Sequence, residues 1–318
     1  MGEFELIRRY FAGLTPEAAD VALGIGDDAA LLRVPAGHEL VVSTDTLVAG
    51  RHFPLATAPA DIGWKALAVN LSDLAAMGAT ARWFTLALTL PEADEAWTAG
   101  LASGMRELAL RHRVALVGGD TTRGPLSITI TAMGLVPAGQ GLRRDGARAG
   151  DLVCVTGTLG DAALALRRLG RADQDPVEQA LRLRLDRPTP RLDAGLALRG
   201  LASAALDLSD GLAGDLRHLC AASGVGAELD PAALPRSAAF EGLAAGLSAE
   251  ECFALQAQGG DDYELCVCLP PESLAEARAR LAPLALSEIG RITAEPGLRL
   301  RYPDGRTAVL AATGYSHF

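Results

Sequence analysis

Segments with helical and strand-like hydrophobic spacing alternate along the chain. The first, over residues 5–11, predicts a short helix. Apolar residues at 39–43 predict a strand running into Thr44-Asp45-Thr46. Over 61–77, Ile62, Leu67, Val69, Leu71, Leu74 and Met77 recur at helical intervals and Gly78 supplies a stop. Residues 83–90 read as a strand, 93–112 as a long helix, and 114–117 and 127–136 as two strands. Between those two, Gly118-Gly119-Asp120-Thr121-Thr122-Arg123-Gly124 reads as a turn. Residues 1–137 therefore form one α/β unit, and the Gly- and Arg-rich stretch 138–150 reads as a linker. A second unit, 151–318, opens with a strand over 151–156, a glycine turn and a helix over 161–169. A strand end at 205–207 then enters a helix reaching Cys220; a strand over 263–269 and a helix over 271–281 follow. The expected fold class is mixed α/β in two domains.

A length of 318 residues suits two domains, and 49% hydrophobic with 21% charged residues is ordinary globular composition. No apolar run reaches the roughly 20 residues a bilayer requires. Met1-Gly2-Glu3-Phe4-Glu5 is acidic and lacks an apolar stretch, so no secretory leader is expected. The five cysteines contain no C-x-x-C pair, and Cys266 and Cys268 alternate along a strand, which suits buried reduced thiols. A cytoplasmic protein is the expectation. A net charge of −10 argues against a nucleic-acid or anionic-membrane partner. Lys65 is the only lysine against 28 arginines, and Gly63-Trp64-Lys65-Ala66 is not a P-loop. A polyphosphate ligand would have to be neutralised by arginines and metal ions.

Six segments carry Asp beside Gly, Ser, Thr or Asn: 26–28, 43–46, 70–73, 118–120, 207–210 and 259–262. Taken singly, capping and turn formation explain each. Asp73, however, lies inside a helical pattern, three residues from Asn70 on the same face, and a buried carboxylate there needs a partner. Asp207 and Ser209 project to one side of a strand, and Asp210 starts the next helix. Carboxylates with hydroxyl and amide neighbours are hard oxygen donors suited to Mg²⁺ or Ca²⁺, and the adjacent glycines allow close backbone approach to phosphate. Arg143 or Arg144 could supply a direct phosphate contact. The chemistry points to a metal–nucleotide site.

These motifs resemble the thiamine-monophosphate kinase family. The resemblance rests on residues 23–31, 43–48, 68–78 and 117–122, continues at 206–212 and 262–265, and ends at Gly314-Tyr315-Ser316-His317-Phe318. It implies a two-domain fold shared with aminoimidazole ribonucleotide synthetase, selenophosphate synthetase and a hydrogenase-maturation enzyme, with N-terminal domains paired in a homodimer. It implies Mg²⁺ ligands at Asp28, Ser43, Thr44, Asp45, Asp73, Asp120, Asp207 and Asp210. Nucleotide contacts fall at Gly119, Asp120, Arg144 and Ser209, and thiamine-phosphate contacts at His52, Glu264 and Tyr315. The implied reaction takes ATP and thiamine monophosphate to ADP and thiamine diphosphate, with several Mg²⁺ ions and no general base. Asp261 departs from the glutamate common at that position but keeps its charge. Two alternatives stay open: another ATP-dependent synthetase of this fold, whose selenophosphate form would need a reactive cysteine earlier than Cys154, and a non-catalytic Mg–nucleotide sensor.

Overall fold

The computed structural model describes residues 3–16, 18–170, 175–302 and 304–310. The chain divides into two compact units, Met1–Leu74 with Ala79–Gly139, and Ala75–Gly78 with Gln140–Phe318.

Unit 1 opens with helix α1 (Glu3–Leu6), which continues as a π-helical turn (Ile7–Phe11). A two-stranded ribbon follows, β1 (Val21–Leu23) with β2 (Leu31–Leu32). Its main sheet holds β3 (His38–Val48), β4 (Thr80–Leu90), β5 (Ala115–Arg123) and β6 (Ser127–Pro137) in the order β3-β6-β4-β5. Only β4 and β5 run parallel, and the connection between them carries helix α3 (Glu95–His112). Asp94 caps α3 by accepting the Trp97 N–H at 3.0 Å, and Arg113 ends it in the left-handed region (φ 54°). Helix α2 (Pro59–Ala76) carries the sole lysine, Lys65, buried at 3% exposure.

Glycines explain how α2 and α3 meet. A Cβ at Gly63 would lie 2.0 Å from the Leu101 oxygen, and one at Gly104 would lie 1.7 Å from the Ala60 oxygen. The two backbones touch there, which offsets the cost of about 1 kcal/mol for glycine inside a helix.

Residues 118–123, expected as a turn, are strand. β5 pairs with β4 from Gly118↔Thr85 through Arg123↔Leu90, so parallel ladder bonds override the turn tendency of Gly-Gly-Asp. β3 is likewise longer than expected, because all eleven of its residues pair with β6.

Unit 2 is built on a seven-stranded sheet. Its strands are β7 (Leu152–Thr156), β8 (Ala204–Asp207), β9 (Gly226–Leu229), β10 (Leu265–Leu269), β11 (Leu286–Thr293), β12 (Gly297–Arg301) and β13 (Thr307–Val309). The order is β13-β12-β9-β11-β7-β10-β8, with β12–β9 the one parallel pair. Every residue of β7 and β10 is buried, so these strands read as continuous apolar runs.

The helices of unit 2 are α4 (Asp161–Arg167), α5 (Pro176–Asp186), α6 (Leu192–Leu198), α7 (Leu212–Ser223), α8 (Ala238–Leu243), α9 (Ala249–Gln258) and α10 (Leu274–Leu281). α9 starts with a complete capping box between Ser248 and Glu251. All five cysteines are buried and reduced. Among the described residues no helix is long and apolar enough to cross a membrane.

Candidate functional site

In unit 1 the alternation of β3 sends Ser43 and Asp45 toward α2. The Ser43 hydroxyl donates to Asp73 Oδ2 at 2.5 Å, and the Asp45 N–H donates to Asn70 Oδ1 at 3.0 Å. Asn70, only 1% exposed, donates in turn to the Ala66 carbonyl at 3.0 Å, which fixes its amide. The helix-face pairing of Asn70 and Asp73 read from spacing is therefore used to grip one strand. Thr44 lies on the opposite face, its Oγ1 2.9 Å from that of Thr131. Its hydroxyl does not join Ser43 and Asp45.

A cavity of about 930 Å³ opens beside β5. Gly26, Asp27 and Asp28 line it from one loop, and Gly118, Gly119 and Asp120 from the strand; Ile7, Arg8 and Phe11 come from the π-helical turn. Gly119 (φ +153°) passes so close to β4 that a Cβ would sit 1.9 Å from the Leu86 oxygen. No other residue fits there. The Asp28 N–H donates to Asp27 Oδ1 at 2.8 Å, tightening that loop. Asp120 pairs in register with Ala87, and so shares a sheet face with Thr129 and Thr46 rather than with Ser43 and Asp45. Asp28 and Asp120 thus come together on the cavity, while Asp45 and Asp73 come together at α2. Among the described residues, no group of three or more His, Cys, Asp or Glu side chains is gathered closely enough to cage a metal ion.

In unit 2, Asp207 ends β8 at 8% exposure, and Ser209 and Asp210 follow in a half-buried loop. Main-chain bonds fix that loop: the Asp261 N–H donates to the Ser209 oxygen at 2.9 Å and the Tyr263 N–H to the Leu208 oxygen at 2.8 Å. Asp261 and Tyr263 adopt positive φ (69° and 49°) to make this contact, which is why β10 begins two residues later than the apolar run suggests. Asp215 holds the same loop from beneath, accepting the N–H groups of Asp210 and Gly211 at 3.1 Å each. Burial, with the charge of Asp210 beside it, pushes the Asp215 carboxyl up to about 7. Asp262 accepts the Gly160 N–H through both oxygens at 2.9 and 3.0 Å, and burial raises its pKa well above the usual carboxylate range.

Glu264, expected at the substrate, is wholly buried. It accepts bonds from Arg184 at 2.8 Å, from Arg191 Nε at 2.6 Å and from the Thr156 hydroxyl at 2.7 Å. Gly157 passes so close over it that a Cβ there would lie 2.2 Å from Glu264 Oε1. Its carboxylate therefore meets arginines in the interior rather than the surface. His52 lies in the turn after β3, where its Nδ1 accepts the Val48 N–H at 2.9 Å, leaving Nε2 to carry the proton of the neutral ring. The exposed Arg144 offers its carbonyl to Ser223 at 2.7 Å. Tyr315 lies outside the described residues. Asp215, Arg184 and Arg191 were not anticipated. Asp215 carried a readable signal, an acid in the first turn of the helix that follows Asp207-Leu208-Ser209-Asp210-Gly211. The two arginines carried none, being two among 28.

Residues 26–136 match the model of the AIR synthase related protein, N-terminal domain, and residues 148–303 that of the corresponding C-terminal domain. The thiamine-monophosphate kinase of Escherichia coli (strain K12) is 46% identical over 323 residues, covering 100% of this chain and 98% of its own length. Among solved structures, the thiamine-monophosphate kinase from Stenotrophomonas maltophilia K279a superposes with a TM-score of 0.87 at 49% identity, covering 97% of this chain and 98% of its own. AaThiL complexed with AMPPCP and TMP superposes with a TM-score of 0.79 at 32% identity over 92% of each chain.

Proposed function

The chain belongs to the thiamine-monophosphate kinases of the AIR synthase related family, and from that premise we propose that its sites serve Mg²⁺-dependent transfer of the ATP γ-phosphoryl group to thiamine monophosphate. The observation that carries this is the unit 1 cavity, which Gly26 and Gly119 line with bare backbone and Asp28 and Asp120 with carboxylates.

The acceptor is a phosphate oxygen already ionised near neutral pH, so no side chain has to take a proton from it and no general base is assigned. Transfer makes one P–O bond at that oxygen and breaks the bond between the β- and γ-phosphates of ATP. What remains for the protein is alignment of two anions and neutralisation of their charge. Gly119, Asp120, Arg144 and Ser209 are assigned to the nucleotide.

The donor set fits magnesium. Asp27, Asp28 and Asp120 line the cavity against the single cation Arg8, an arrangement that would repel a polyphosphate arriving without cations. Asp28, Ser43, Asp45, Asp73, Asp120, Asp207 and Asp210 would hold the ions, with Thr44 contributing through its main-chain oxygen alone. Bound there, magnesium would supply charge neutralisation of the transferring phosphoryl group. On the acceptor side, His52 and Tyr315 keep their assignment, and Glu264 acts indirectly by holding Arg184 and Arg191.

A homodimer accords with the free edge of the unit 1 sheet. β3 is eleven residues long, and Leu40 and Val42 on it are 45% and 55% exposed, an apolar edge that calls for a partner. The expected location is the cytoplasm, where the reduced state of the thiols would be maintained.

Incubation of the purified protein with ATP, Mg²⁺ and thiamine monophosphate, followed by chromatography of the oxidised, fluorescent products, tests the proposal. Thiamine diphosphate is expected only when all three are present. Its absence from the complete mixture would sink the reading.

A further inference from the structure

The turn at 208–211 is pinned to two elements. Segment 258–264 holds it through main-chain bonds. The Leu208 N–H donates to the Glu264 oxygen at 2.8 Å, the Tyr263 N–H to the Leu208 oxygen at 2.8 Å, and the Asp261 N–H to the Ser209 oxygen at 2.9 Å. Backbone touches backbone there: a Cβ at Gly260 would lie 2.5 Å from the Ser209 oxygen, and one at Gly211 2.9 Å from the Gln258 carbonyl carbon. Helix α7 supplies the second hold. Asp215, at 7% exposure, accepts the Asp210 and Gly211 N–H groups at 3.1 Å each, and its own N–H donates to the Gly211 oxygen at 3.0 Å.

Helix capping does not account for the side-chain bonds. A capping side chain stands at the N-cap and accepts the N–H of the second or third helical residue. The N-cap of α7 is Gly211, which has no side chain to offer. Asp215 instead reaches backward, to Gly211 and to Asp210, which precedes the helix. The bond to Gly211 resembles half of a capping box. The bond to Asp210 closes no helical turn; it fixes the backbone that carries Ser209 and Asp210, both half-buried, just past Asp207 at the end of β8. The arrangement also buries one acid against the residue bearing another, which burial and like charge both disfavour. Stability alone would favour a neutral acceptor at this position.

We infer that Asp215 is a positioning residue for the metal-dependent step: by anchoring the N–H groups of Asp210 and Gly211, it sets where the Asp207 and Asp210 carboxylates stand to receive Mg²⁺. The inference rests on the proposed assignment of Asp207 and Asp210 to the metal ions, so its test reads metal binding as well as turnover.

Titration of the full chain with Mn²⁺, followed through the electron paramagnetic resonance signal of the free ion, gives the first readout. The Mg²⁺ dependence of thiamine diphosphate formation gives the second. Asp215→Ala should raise the Mn²⁺ dissociation constant and the half-saturating Mg²⁺ concentration by about tenfold or more, the scale of losing a support behind a metal ligand. Turnover at saturating Mg²⁺ should recover most of its wild-type value. Asp215→Asn keeps an acceptor of the same shape and should restore both constants, with an unfolding midpoint at or above that of wild type. Asp215→Ser leaves a hydroxyl and space for a water below the two N–H groups, and it provides the result if Asp215→Ala does not fold. A lowered midpoint with both metal constants unchanged would make Asp215 a purely structural acid and overturn the inference. An Asn variant as impaired as the Ala variant would overturn it too, because the bonds alone would then not be what matters. Wild-type protein that makes no thiamine diphosphate, yet loses Mn²⁺ affinity in Asp215→Ala and keeps it in Asp215→Asn, would overturn the proposed reaction and leave the anchor standing.

Discussion

The acidic residues of the two units are used in contrasting ways. In unit 2, Asp161, Asp262 and Glu264 are at most 4% exposed, and each accepts from the protein itself: hydroxyls for Asp161, a helix-start N–H for Asp262, and two guanidiniums for Glu264. In unit 1, Asp27, Asp28 and Asp120 are exposed and line a cavity together. A buried carboxylate must be answered from within or the fold bears its desolvation, so its geometry is settled before any ligand arrives. An exposed set of like charges is the reverse case, tolerable in water and strongly attractive to cations. Acidic side chains therefore serve as internal scaffold at these three positions of unit 2 and stand as an exposed set of like charges at the three of unit 1.

Three substitutions or measurements put pressure on that contrast. The largest effect is expected from Glu264→Ala, which takes from Arg191 the carboxylate it grips and leaves Arg184 only the more distant Asp161, at 3.6 Å. It should cost on the order of 3–5 kcal/mol of stability, read as an earlier midpoint in denaturant unfolding. An unchanged midpoint with abolished turnover would place Glu264 among the functional acids instead. Next, Asp73→Asn keeps the shape and an acceptor for Ser43 but removes the charge. Turnover should fall by about 10²–10³-fold, with the unfolding midpoint close to wild type. Near-wild-type turnover would strike Asp73 from the metal set.

The smallest effect is an expected silence. Burial pushes the Cys154 thiol up to about 12 and the Cys220 thiol up to about 11, from an ordinary value of 9.0. Thiolate is therefore scarce at pH 8, and a disulfide-exchange reagent should label no cysteine in the folded protein and all five after denaturation. The linkage has a definite sign. A thiol pKa raised in the folded state favours folding fully below about pH 9 and loses that contribution as pH climbs toward 12. A cysteine that reacts rapidly at pH 8 would contradict the closed interior of unit 2.

The elements with strong periodicity were legible in advance. The 61–77 pattern became α2 (Pro59–Ala76), and the 127–136 pattern became β6 (Ser127–Pro137). What spacing could not convey is which competing local preference loses. Gly118 to Arg123 has turn composition, yet parallel pairing with β4 makes it strand, and only the 1.9 Å approach of Gly119 to Leu86 reveals why glycine stands there. The shared face of Asn70 and Asp73 followed from helix geometry, whereas their bonds to Ser43 and Asp45 of β3 join residues 30 and 25 positions apart and did not. The turning of Thr44 away from Ser43 follows from strand alternation and could have been read at the same stage. Glu264 is the instructive case. A charged residue between Tyr263 and Leu265 gives no sign of its burial, because its partners Arg184 and Arg191 lie 80 and 73 residues away.

The interior position of Lys65 has a practical bearing on handling the protein. It is the one lysine of the chain, and at 3% exposure it lies inside α2. Succinimidyl esters and reductive methylation, which act on exposed side-chain amines, find none on the folded surface, and the 28 guanidinium groups, protonated and delocalised, are poor nucleophiles toward them. Bifunctional lysine cross-linkers therefore find no exposed side-chain amine with which to couple a dimer, so a negative result from them carries little weight. A lysine introduced at a chosen surface position becomes, by the same token, the only side-chain amine open to attachment, where a dye or tether can be placed without competition.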